Sequence, residues 1–484
     1  MLGDIFTLIL TALGSFIFSG WIISVAMLVI LPKRQSPEAA RTWLVVMLFL
    51  PWLGLLIYLL IGENRLPKDQ LQRHAQVVDK LKNVNDHIKQ EAAAALARLD
   101  PEQKPRVALA QGLGHMPVLD GNDFELLFGY DNIIDRLIAD IDAAAHHVHL
   151  LYYIIADDET GRRVDEALVR AVNRGVKCRV LVDHFGALPF IKKLGDQMIA
   201  QGIDLHYILP IKLFRRYLTR ADLRNHRKIA VIDGRVAYTG SQNIVNADYG
   251  YHIEGLTYEE LMVRLTGPIV MELQAVFVGD WYIETDELLS DQNYFSWPAT
   301  TGATPIQALP SGPTYPTQNF QRMMVSLVHQ AKERVVITTP YFIPDDAFLE
   351  AMQTAVLSGV EVVLIVSGKV DQALVGLAQK SYYEELLEAG VQIYIHGKSL
   401  LHAKHTSIDN EIALIGSGNM DKRSFDLNFE ISTLFYDPQA VAALHAKEAG
   451  YIADSQPLTR EAWAKRSGKD KFLQNTAKLV GPLL

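Results

Sequence analysis

The spacing of hydrophobic positions divides the chain into an apolar beginning and a mixed body. Residues 5–31 contain no charged side chain, and residues 42–62 contain none either. Each run is long enough to cross a hydrocarbon core of about 30 Å, which takes roughly 20 helical residues. Two such runs separated by a short polar loop predict a transmembrane hairpin within residues 1–65.

Two other interpretations of these apolar runs are weaker. A signal peptide is disfavoured because Asp4, and no Lys or Arg, precedes a first run that is too long for one. Two buried core helices are disfavoured by the length of the runs and by their aromatic residues, Trp21, Trp43, Trp52 and Tyr58. Lysine and arginine are balanced between the loop and the segment after residue 62, so their count gives no orientation.

The body after the hairpin shows helical and strand patterns in turn. Apolar positions among many charges predict a connecting helix over residues 66–110. A first domain is predicted over 111–285 and a second over 320–484. Between them, residues 286–319 are rich in Pro, Gly, Ser and Thr, which is typical of a linker.

The two predicted domains repeat the same order of elements. Apolar strand patterns recur at 148–155, 175–182 and 205–209, and again at 335–343, 359–366 and 391–395. Helical patterns separate the strands in both halves. This alternation predicts an α/β fold, with one α/β sandwich used twice in a pseudo-twofold arrangement.

A polar motif with unchanged internal spacing, H-x-K-x4-D-x6-G-S-x-N, lies in each half. It comprises His226, Lys228, Asp233, Ser241 and Asn243 in the first copy and His402, Lys404, Asp409, Ser417 and Asn419 in the second. Either copy alone would be as well explained by a structural histidine and a surface lysine. Two identical copies in matched strand contexts indicate one site built from both.

The residue types suit attack on a phosphodiester without a metal or other cofactor. A histidine and a lysine two positions apart on a strand point to the same face. One neutral histidine can attack phosphorus while the opposite, protonated one donates to the leaving oxygen. Because the ordinary pKa of histidine is about 6.5, two of them can hold opposite protonation states near neutral pH. Lysines and asparagines then bind the non-bridging oxygens.

The other motif positions are supporting candidates. Asp233 and Asp409 belong to the candidate catalytic set, although their place at a predicted hairpin turn favours a role in the turn. Ser241 and Ser417 are expected to shape the backbone that presents the asparagines. Glu260 and Glu430 follow downstream, one in each half, as candidate partners for the second nitrogen of a histidine.

Charge and cysteine content restrict the function further. The formal net charge of −9 over 484 residues disfavours a general polyanion binder. The single cysteine, Cys178, excludes an internal disulfide and a cysteine-based metal site. A basic stretch at 211–228 would suit nucleic-acid backbone, anionic lipid or simply solvent, and the adjoining apolar spans favour lipid.

The duplicated H-x-K-x4-D motif resembles that of the phospholipase D superfamily, and nearly the whole chain resembles bacterial cardiolipin synthases of the A type. The resemblance is carried by the strings at 224–228, 339–346, 381–387 and 421–430, by the paired apolar spans and by the closing Gly-Pro-Leu-Leu. It implies two phospholipase D-like domains after the hairpin. It also implies His226 as nucleophile, His402 as acid/base, and Glu260 and Glu430 as histidine-orienting carboxylates. Glu260 departs from the family pattern, in which an aspartate is expected.

The resemblance implies an enzyme that converts two molecules of phosphatidylglycerol to cardiolipin and glycerol through a phosphohistidine, with the bilayer and no nucleic acid as partner. It implies a multi-pass protein of the bacterial inner membrane with its catalytic domains facing the cytoplasm. The oligomeric state stays open. A phospholipase D-type hydrolase uses the same motif and is the nearest alternative. A metal-free nuclease is disfavoured by the apolar spans and the negative charge.

Overall fold

The computed structural model describes most of the chain and divides it into two compact units. The described residues are 2–35, 37–62, 66, 68–82, 86–210, 220, 222–249, 257–289 and 292–481. One unit comprises 1–71 with 211–223, and the other comprises 72–210 with 224–484. Apart from residues 211–223, both predicted sandwich domains lie in the second unit, because one β-sheet runs through them.

Three apolar helices form the start of the first unit: α1 (Leu2–Arg34), α2 (Pro37–Phe49) and α3 (Pro51–Ile61). They pack against each other through contacts that include Ser24 Oγ, which donates to the Met47 carbonyl at 2.9 Å. The rings of Trp43 and Tyr58 meet edge to face with centroids 5.2 Å apart. Among the described helices, only α1 is both long and apolar enough to cross a membrane, with a candidate span over Leu10–Arg34.

The second predicted span, 42–62, is not one continuous helix. Leu50 leaves the helical conformation, with φ of −136° and ψ of 63°, and α3 begins at Pro51. Proline disfavours a helical conformation in the residue before it and lacks the N–H that would continue the helix. The apolar run is therefore divided into two shorter helices.

The predicted connecting helix over 66–110 is likewise divided. The structure has α4 (Lys68–Lys82), α5 (Asp86–Arg98) and α6 (Lys104–Gly114) in this region, and α4 contains the boundary between the two units. Between α5 and α6 the chain turns at Pro101, and Pro105 occupies the first turn of α6. Proline is tolerated there and not in a helix interior, so a single helix cannot pass through this segment.

The strands of the second unit follow the predicted repeat. In the first half they are β1 (Leu119–Phe128), β2 (His147–Tyr152), β3 (Lys177–Asp183), β4 (Asp204–Ile208), β5 (Arg224–Asn225), β6 (Ile229–Ile232), β7 (Val236–Gly240), β8 (Tyr258–Glu259) and β9 (Leu261–Thr266). In the second half they are β10 (Thr304–Ser311), β11 (Arg334–Thr339), β12 (Phe342–Ile343), β13 (Glu361–Ser367), β14 (Gln392–His396), β15 (Leu400–Leu401), β16 (His405–Ile408), β17 (Ile412–Gly416), β18 (Met420–Asp421), β19 (Asn428–Phe435) and β20 (Ser455–Leu458).

One sheet connects the halves, in the order β20-β14-β13-β11-β16-β17-β19-β10-β1-β9-β7-β6-β2-β3-β4. Its centre is the antiparallel pair of β1 and β10, with Leu119 opposite Ile306. The same succession of strands extends from this pair in both directions, and β20 adds a further strand at one edge. The expectation of an α/β fold with two halves in pseudo-twofold relation is confirmed.

The prediction of a linker over residues 286–319 is wrong for the middle of this segment. Residues 304–311 form β10, which pairs with β1 on one side and with β19 on the other. Ile306 and Ala308 are fully buried in this strand. The Pro and Thr residues around them hid the strand, because they are typical of turns.

Helices cover the sheet in both halves. They are α7 (Tyr130–Ala143), α8 (Glu159–Asn173), α9 (Leu188–Phe190), α10 (Asp196–Ala200) and α11 (Ile269–Thr285), then α12 (Asn319–His329), α13 (Asp346–Leu357), α14 (Ala373–Ser381), α15 (Tyr383–Ala389), α16 (Lys422–Asp426), α17 (Pro438–Ala453), α18 (Arg460–Ala464) and α19 (Gly468–Val480). The first core packs α7 and α8 on the sheet, for example through Leu137 and Leu168. The second packs α12 and α13 in the same way through Leu327 and Met352. Each motif therefore stands on a hairpin, β6–β7 or β16–β17, that its own core makes rigid.

Candidate active site

The beginning of each motif is held by the other half of the protein. Strand β5, directly before His226, pairs with the start of β19, and the His226 N–H donates to the Phe429 carbonyl at 2.9 Å. Strand β15, directly before His402, pairs with β8, and the His402 N–H donates to the Glu259 carbonyl at 2.8 Å. These two short pairings place each histidine beside the glutamate of the opposite half.

The imidazoles and glutamates therefore form two crossed pairs. His226 Nδ1 lies 3.0 Å from Glu430 Oε1, and His402 Nδ1 lies 2.8 Å from Glu260 Oε1. Since an ionised carboxylate can only accept, each Nδ1 carries a proton and each Nε2 keeps its lone pair when the ring is neutral. Within the described part of the chain, neither Nε2 has a hydrogen-bond partner. Both rings present a nucleophilic nitrogen to the same site.

The motif serines lie behind the glutamates. Ser241 Oγ donates to Glu260 and accepts from the Leu261 N–H at 2.9 Å. Ser417 Oγ donates to Glu430 and accepts from the Ile431 N–H at 3.0 Å. The serines thus fix the carboxylates that fix the histidines. The expectation that they shape the backbone around the asparagines captures only part of this role.

The glycine before each serine is required by a close approach of backbone. A Cβ on Gly240 would lie 2.4 Å from the Leu261 carbonyl oxygen, and one on Gly416 would lie 2.5 Å from that of Ile431. Such distances are impossible for any side chain. The Gly-Ser dipeptide therefore brings each hairpin within hydrogen-bonding reach of the strand that carries the glutamate.

Both motif lysines are buried, and each contacts the backbone of the histidine in its own motif. Lys228 Nζ donates to the His226 carbonyl at 2.7 Å, and Lys404 Nζ donates to the His402 carbonyl at 2.6 Å. Burial lowers the pKa of Lys228 to about 7 and that of Lys404 to about 8, although Glu430 and Glu260 oppose the shift. Lys404 also lowers the pKa of Lys228, so the two motifs share one electrostatic site.

Burial lowers the pKa of both His226 and His402 below the ordinary value, and the facing glutamates only partly oppose this. Burial alone would raise the pKa of Glu260 and Glu430, but the histidine and lysine that face each carboxylate hold it below its usual range. At neutral pH both carboxylates are ionised and both rings are neutral. The sequence predicts ordinary histidine pKa values, and the structure corrects this.

The two motif asparagines are buried and differ in their contacts. Asn243 Oδ1 accepts from the Ile154 N–H at 3.2 Å. Asn419 Oδ1 has no hydrogen-bond partner in the described part of the chain. A buried amide without a partner loses free energy unless a ligand completes its hydrogen bonds. The Asn419 amide is thus ready for a polar ligand.

The motif aspartates do not reach the histidines. Asp233 and Asp409 occupy turn positions with φ of 53° and 50°. Asp233 accepts from three backbone N–H groups, those of Ala145, His146 and His147. Asp409 likewise accepts from the backbone N–H groups of residues 332–334. Strand β6 separates Asp233 from Lys228 by roughly 16 Å, at about 3.3 Å per residue. The structure places both aspartates in the turns that their sequence position favours, and a catalytic role for them stays a prediction.

Some site residues have no clear sequence signal. The ring of Tyr153 meets that of His226 edge to face at 5.0 Å, and the ring of Tyr258 meets that of His402 at 5.5 Å. Arg227, the variable residue of the first motif, donates through Nε to the Glu430 carbonyl at 3.0 Å and through Nη1 to Asp280. The aromatic end of the first strand pattern is the one hint of Tyr153.

The basic stretch at 211–228 belongs only in part to the described residues. Its residues 211–219 lie outside the described residues, and its end, Arg227 and Lys228, is buried rather than solvated. Within the described part of the chain, no group of three His, Cys, Asp or Glu side chains is arranged to hold a metal ion.

Comparison with known proteins agrees with this geometry. The family described as "Cardiolipin synthase, PLD-like domain" matches residues 137–281 and 324–449, which contain both motifs. The family described as "Phospholipase_D-nuclease N-terminal" matches residues 21–63. Among solved structures, a phosphatidylserine synthase from Haemophilus influenzae superposes with a TM-score of 0.59 and 17% identity, over 79% of this chain and 100% of that one. This likeness supports the fold.

Similar proteins extend over nearly the full length. Cardiolipin synthase A of Serratia proteamaculans is 34% identical over 475 residues, or 97% of this chain and 98% of that protein. Cardiolipin synthase A of Escherichia coli O1:K1 is 33% identical over 467 residues, or 94% and 95% of the two chains. The resemblance seen in the sequence is confirmed: the chain belongs to the cardiolipin synthase family of phospholipase D-like enzymes.

Proposed function

We propose that this protein is a phosphatidyltransferase that joins two phosphatidylglycerol molecules into cardiolipin and releases glycerol. The crossed histidine–glutamate pairs carry the proposal. They present two Nε2 atoms, two lysines and two asparagines to one bound phosphate, which is what a two-step transfer requires. The names of the similar proteins, cardiolipin synthase A, support cardiolipin as the product.

In the first step, His226 Nε2 attacks phosphorus and the bond to the headgroup glycerol oxygen breaks. His402 Nε2–H gives its proton to that oxygen, and glycerol leaves. The phosphodiester anion supplies the negative charge that raises the pKa of His402 from its lowered value in the free protein, so His402 Nε2 takes up a proton from solvent when the substrate binds and returns it when the product leaves. Glu430 stabilises the charge that His226 gains on forming the phosphohistidine.

In the second step, a hydroxyl of another phosphatidylglycerol attacks the same phosphorus. His402 takes its proton, the bond between His226 and phosphorus breaks, and cardiolipin leaves. Lys228 and Lys404 donate to the non-bridging oxygens throughout, and the Asn243 and Asn419 amides add donors where charge develops. Atoms and protons balance without a metal or another cofactor.

The proposed substrate is a lipid, and we place the protein in the bacterial inner membrane with its body on the cytoplasmic side. Helix α1 would form one span, and α2 with α3 the second part of a hairpin. Single cysteines introduced at Gln35, between α1 and α2, and at Lys177, in a Cys178→Ser background, test this with an impermeant thiol reagent. Labelling of position 177 in intact cells before lysis would contradict the orientation.

Product analysis tests the function itself. The purified protein with labelled phosphatidylglycerol vesicles should release glycerol and cardiolipin in equal amounts. His226→Ala and His402→Ala should each abolish this release. Phosphatidic acid as the main product would replace the transferase with the hydrolase, and full activity in either variant would refute the two-histidine mechanism.

A further inference from the structure

A tyrosine–aspartate pair lies beside the second motif. Tyr341 follows β11 and stands next to Asn419, because β12 and β18 pair with Phe342 opposite Met420. The Tyr341 hydroxyl donates to the Asp371 carboxylate, which lies in the loop after β13. Both side chains are half-buried. The pair adds one hydroxyl and one carboxylate to the region of the buried, unpartnered Asn419 Oδ1.

The pair lies near the tyrosines that surround His402, because Tyr249 and Tyr258 add to the rise in the pKa of Tyr341 that burial causes. The ring of Tyr258 meets that of His402 at 5.5 Å and stacks on Tyr249 at 5.2 Å. Burial raises the pKa of Asp371, while Lys404 lowers it, and Asp371 in turn raises the pKa of Lys404. The Asp371 carboxylate and the motif lysine thus influence each other electrostatically.

The first half is built differently at the corresponding place. The loop after β3 presents Phe185, which is 49% exposed, and the Arg224 guanidinium lies 4.4 Å from the centre of its ring. The Asp183 carboxylate, at the end of β3, already accepts hydrogen bonds from backbone N–H groups. The donors are the Asn225 N–H, at 2.9 Å, and two N–H groups of its own loop. The His226 side is thus aromatic and cationic, and the His402 side is rich in hydroxyl and carboxylate groups.

We propose that Tyr341 and Asp371 form the subsite for the glycerol headgroup, both as the leaving group and as the acceptor. This inference rests on the proposed transferase function. The Asp371 carboxylate accepts a hydrogen bond from one glycerol hydroxyl, and the Tyr341 phenol, released from Asp371, donates to the same diol. His402 meanwhile transfers the proton of the neighbouring, reacting oxygen. A site built for a second hydroxyl rejects an alcohol that lacks it, because the buried polar groups are then left unpaired.

Competition between acceptors tests the subsite. Vesicles of phosphatidylglycerol are incubated with the full-length enzyme and 1-propanol, and the ratio of cardiolipin to phosphatidylpropanol is measured. Tyr341→Phe and Asp371→Asn should each lower this ratio by about tenfold or more, the effect of one lost hydroxyl contact. Tyr394→Phe is the matched control, since its hydroxyl contacts Gln392 at 3.4 Å on β14.

The outcomes separate the two proposals. An unchanged ratio in both variants, or an equal fall of both products, overturns the subsite and leaves the transferase in place. Wild-type enzyme that forms phosphatidic acid and neither transfer product overturns the proposed function itself. Unfolding temperatures of the variants, measured in the same detergent, identify a loss of folding. Tyr341→Phe keeps the ring and so provides the second, milder variant.

Discussion

His226 Nδ1 lies 3.0 Å from the carboxylate of Glu430, a residue 204 positions later in the chain and in the other half of the protein. The reciprocal contact joins His402 to Glu260, 142 positions earlier. Each motif histidine is thus paired with a carboxylate of the opposite half. The repeat therefore makes a single site whose two halves depend on each other, and the β5–β19 and β8–β15 pairings hold it together.

Removing either carboxylate should disable the enzyme. Glu430→Gln and Glu260→Gln keep the size of the side chain and lose the charge that fixes the tautomer and stabilises the charged ring. We expect kcat for cardiolipin formation to fall by about 10²- to 10⁴-fold in each, as for other oriented histidines. Glu361→Gln, on the exposed start of β13, is the control. Activity within threefold of wild type for Glu430→Gln would contradict the crossed arrangement.

The buried lysines should lower stability while they support activity. The pKa of Lys228 is about 7 in the folded protein against an ordinary 10.5, so the unfolded chain binds the extra proton between these values. Stability from this group therefore rises with pH through that window, and its cost is complete below pH 7. Lys228→Met should raise the unfolding free energy at pH 6 by on the order of 1–4 kcal/mol and abolish transfer.

Two comparisons check this expectation. The gain in unfolding temperature of Lys228→Met should shrink as the pH rises from 6 to 10, because the folded protein then holds a neutral lysine and the unfolded chain, with an ordinary pKa of 10.5, is close to losing its proton as well. Lys177→Met, on the exposed start of β3, should change the unfolding temperature little at any pH. A destabilised Lys228→Met at pH 6 would show that the charge is satisfied in the folded protein.

The sequence predicts the motif residues well and their partners poorly. Spacing alone assigns His226 and Lys228 to one face, because strand geometry is local. Which glutamate faces which histidine depends on strand pairs formed by residues far apart, for which no local pattern exists. The difference between the two halves, with Phe185 in the loop after β3 and Asp371 in the loop after β13, likewise becomes evident only from the order of strands in the sheet.

The predicted element boundaries are wrong where proline and threonine, which are typical of turns, lie inside a strand or divide an apolar run. Residues 304–311 look like a linker by composition, and only their place between β1 and β19 shows that they form a central strand. The break at Pro51 was present in the sequence and is explained by the missing N–H. Hydrophobic content identifies an apolar run, but not whether one helix or two will form from it.

Chelation should leave the enzyme active. The two lysines and two asparagines provide the donors for a bound phosphate, and metal-site geometry is lacking among the described His, Cys, Asp and Glu side chains. We expect initial rates of cardiolipin formation in excess EDTA to stay within about twofold of the rates without EDTA, because the proposed donors to the phosphate are side chains. Loss of activity that Mg²⁺ or Ca²⁺ restores would contradict the site as described.

The motif aspartates should matter for folding far more than for chemistry. Asp233 holds three backbone N–H groups from a left-handed turn position, so Asp233→Ala loses charge-assisted hydrogen bonds and strains the turn. We expect a loss of about 1–3 kcal/mol in unfolding free energy. Asp233→Asn keeps one acceptor and tolerates the same φ, and should lose less. For both, kcat per folded molecule should fall far less than in His226→Ala; an equal fall would return Asp233 to the catalytic set.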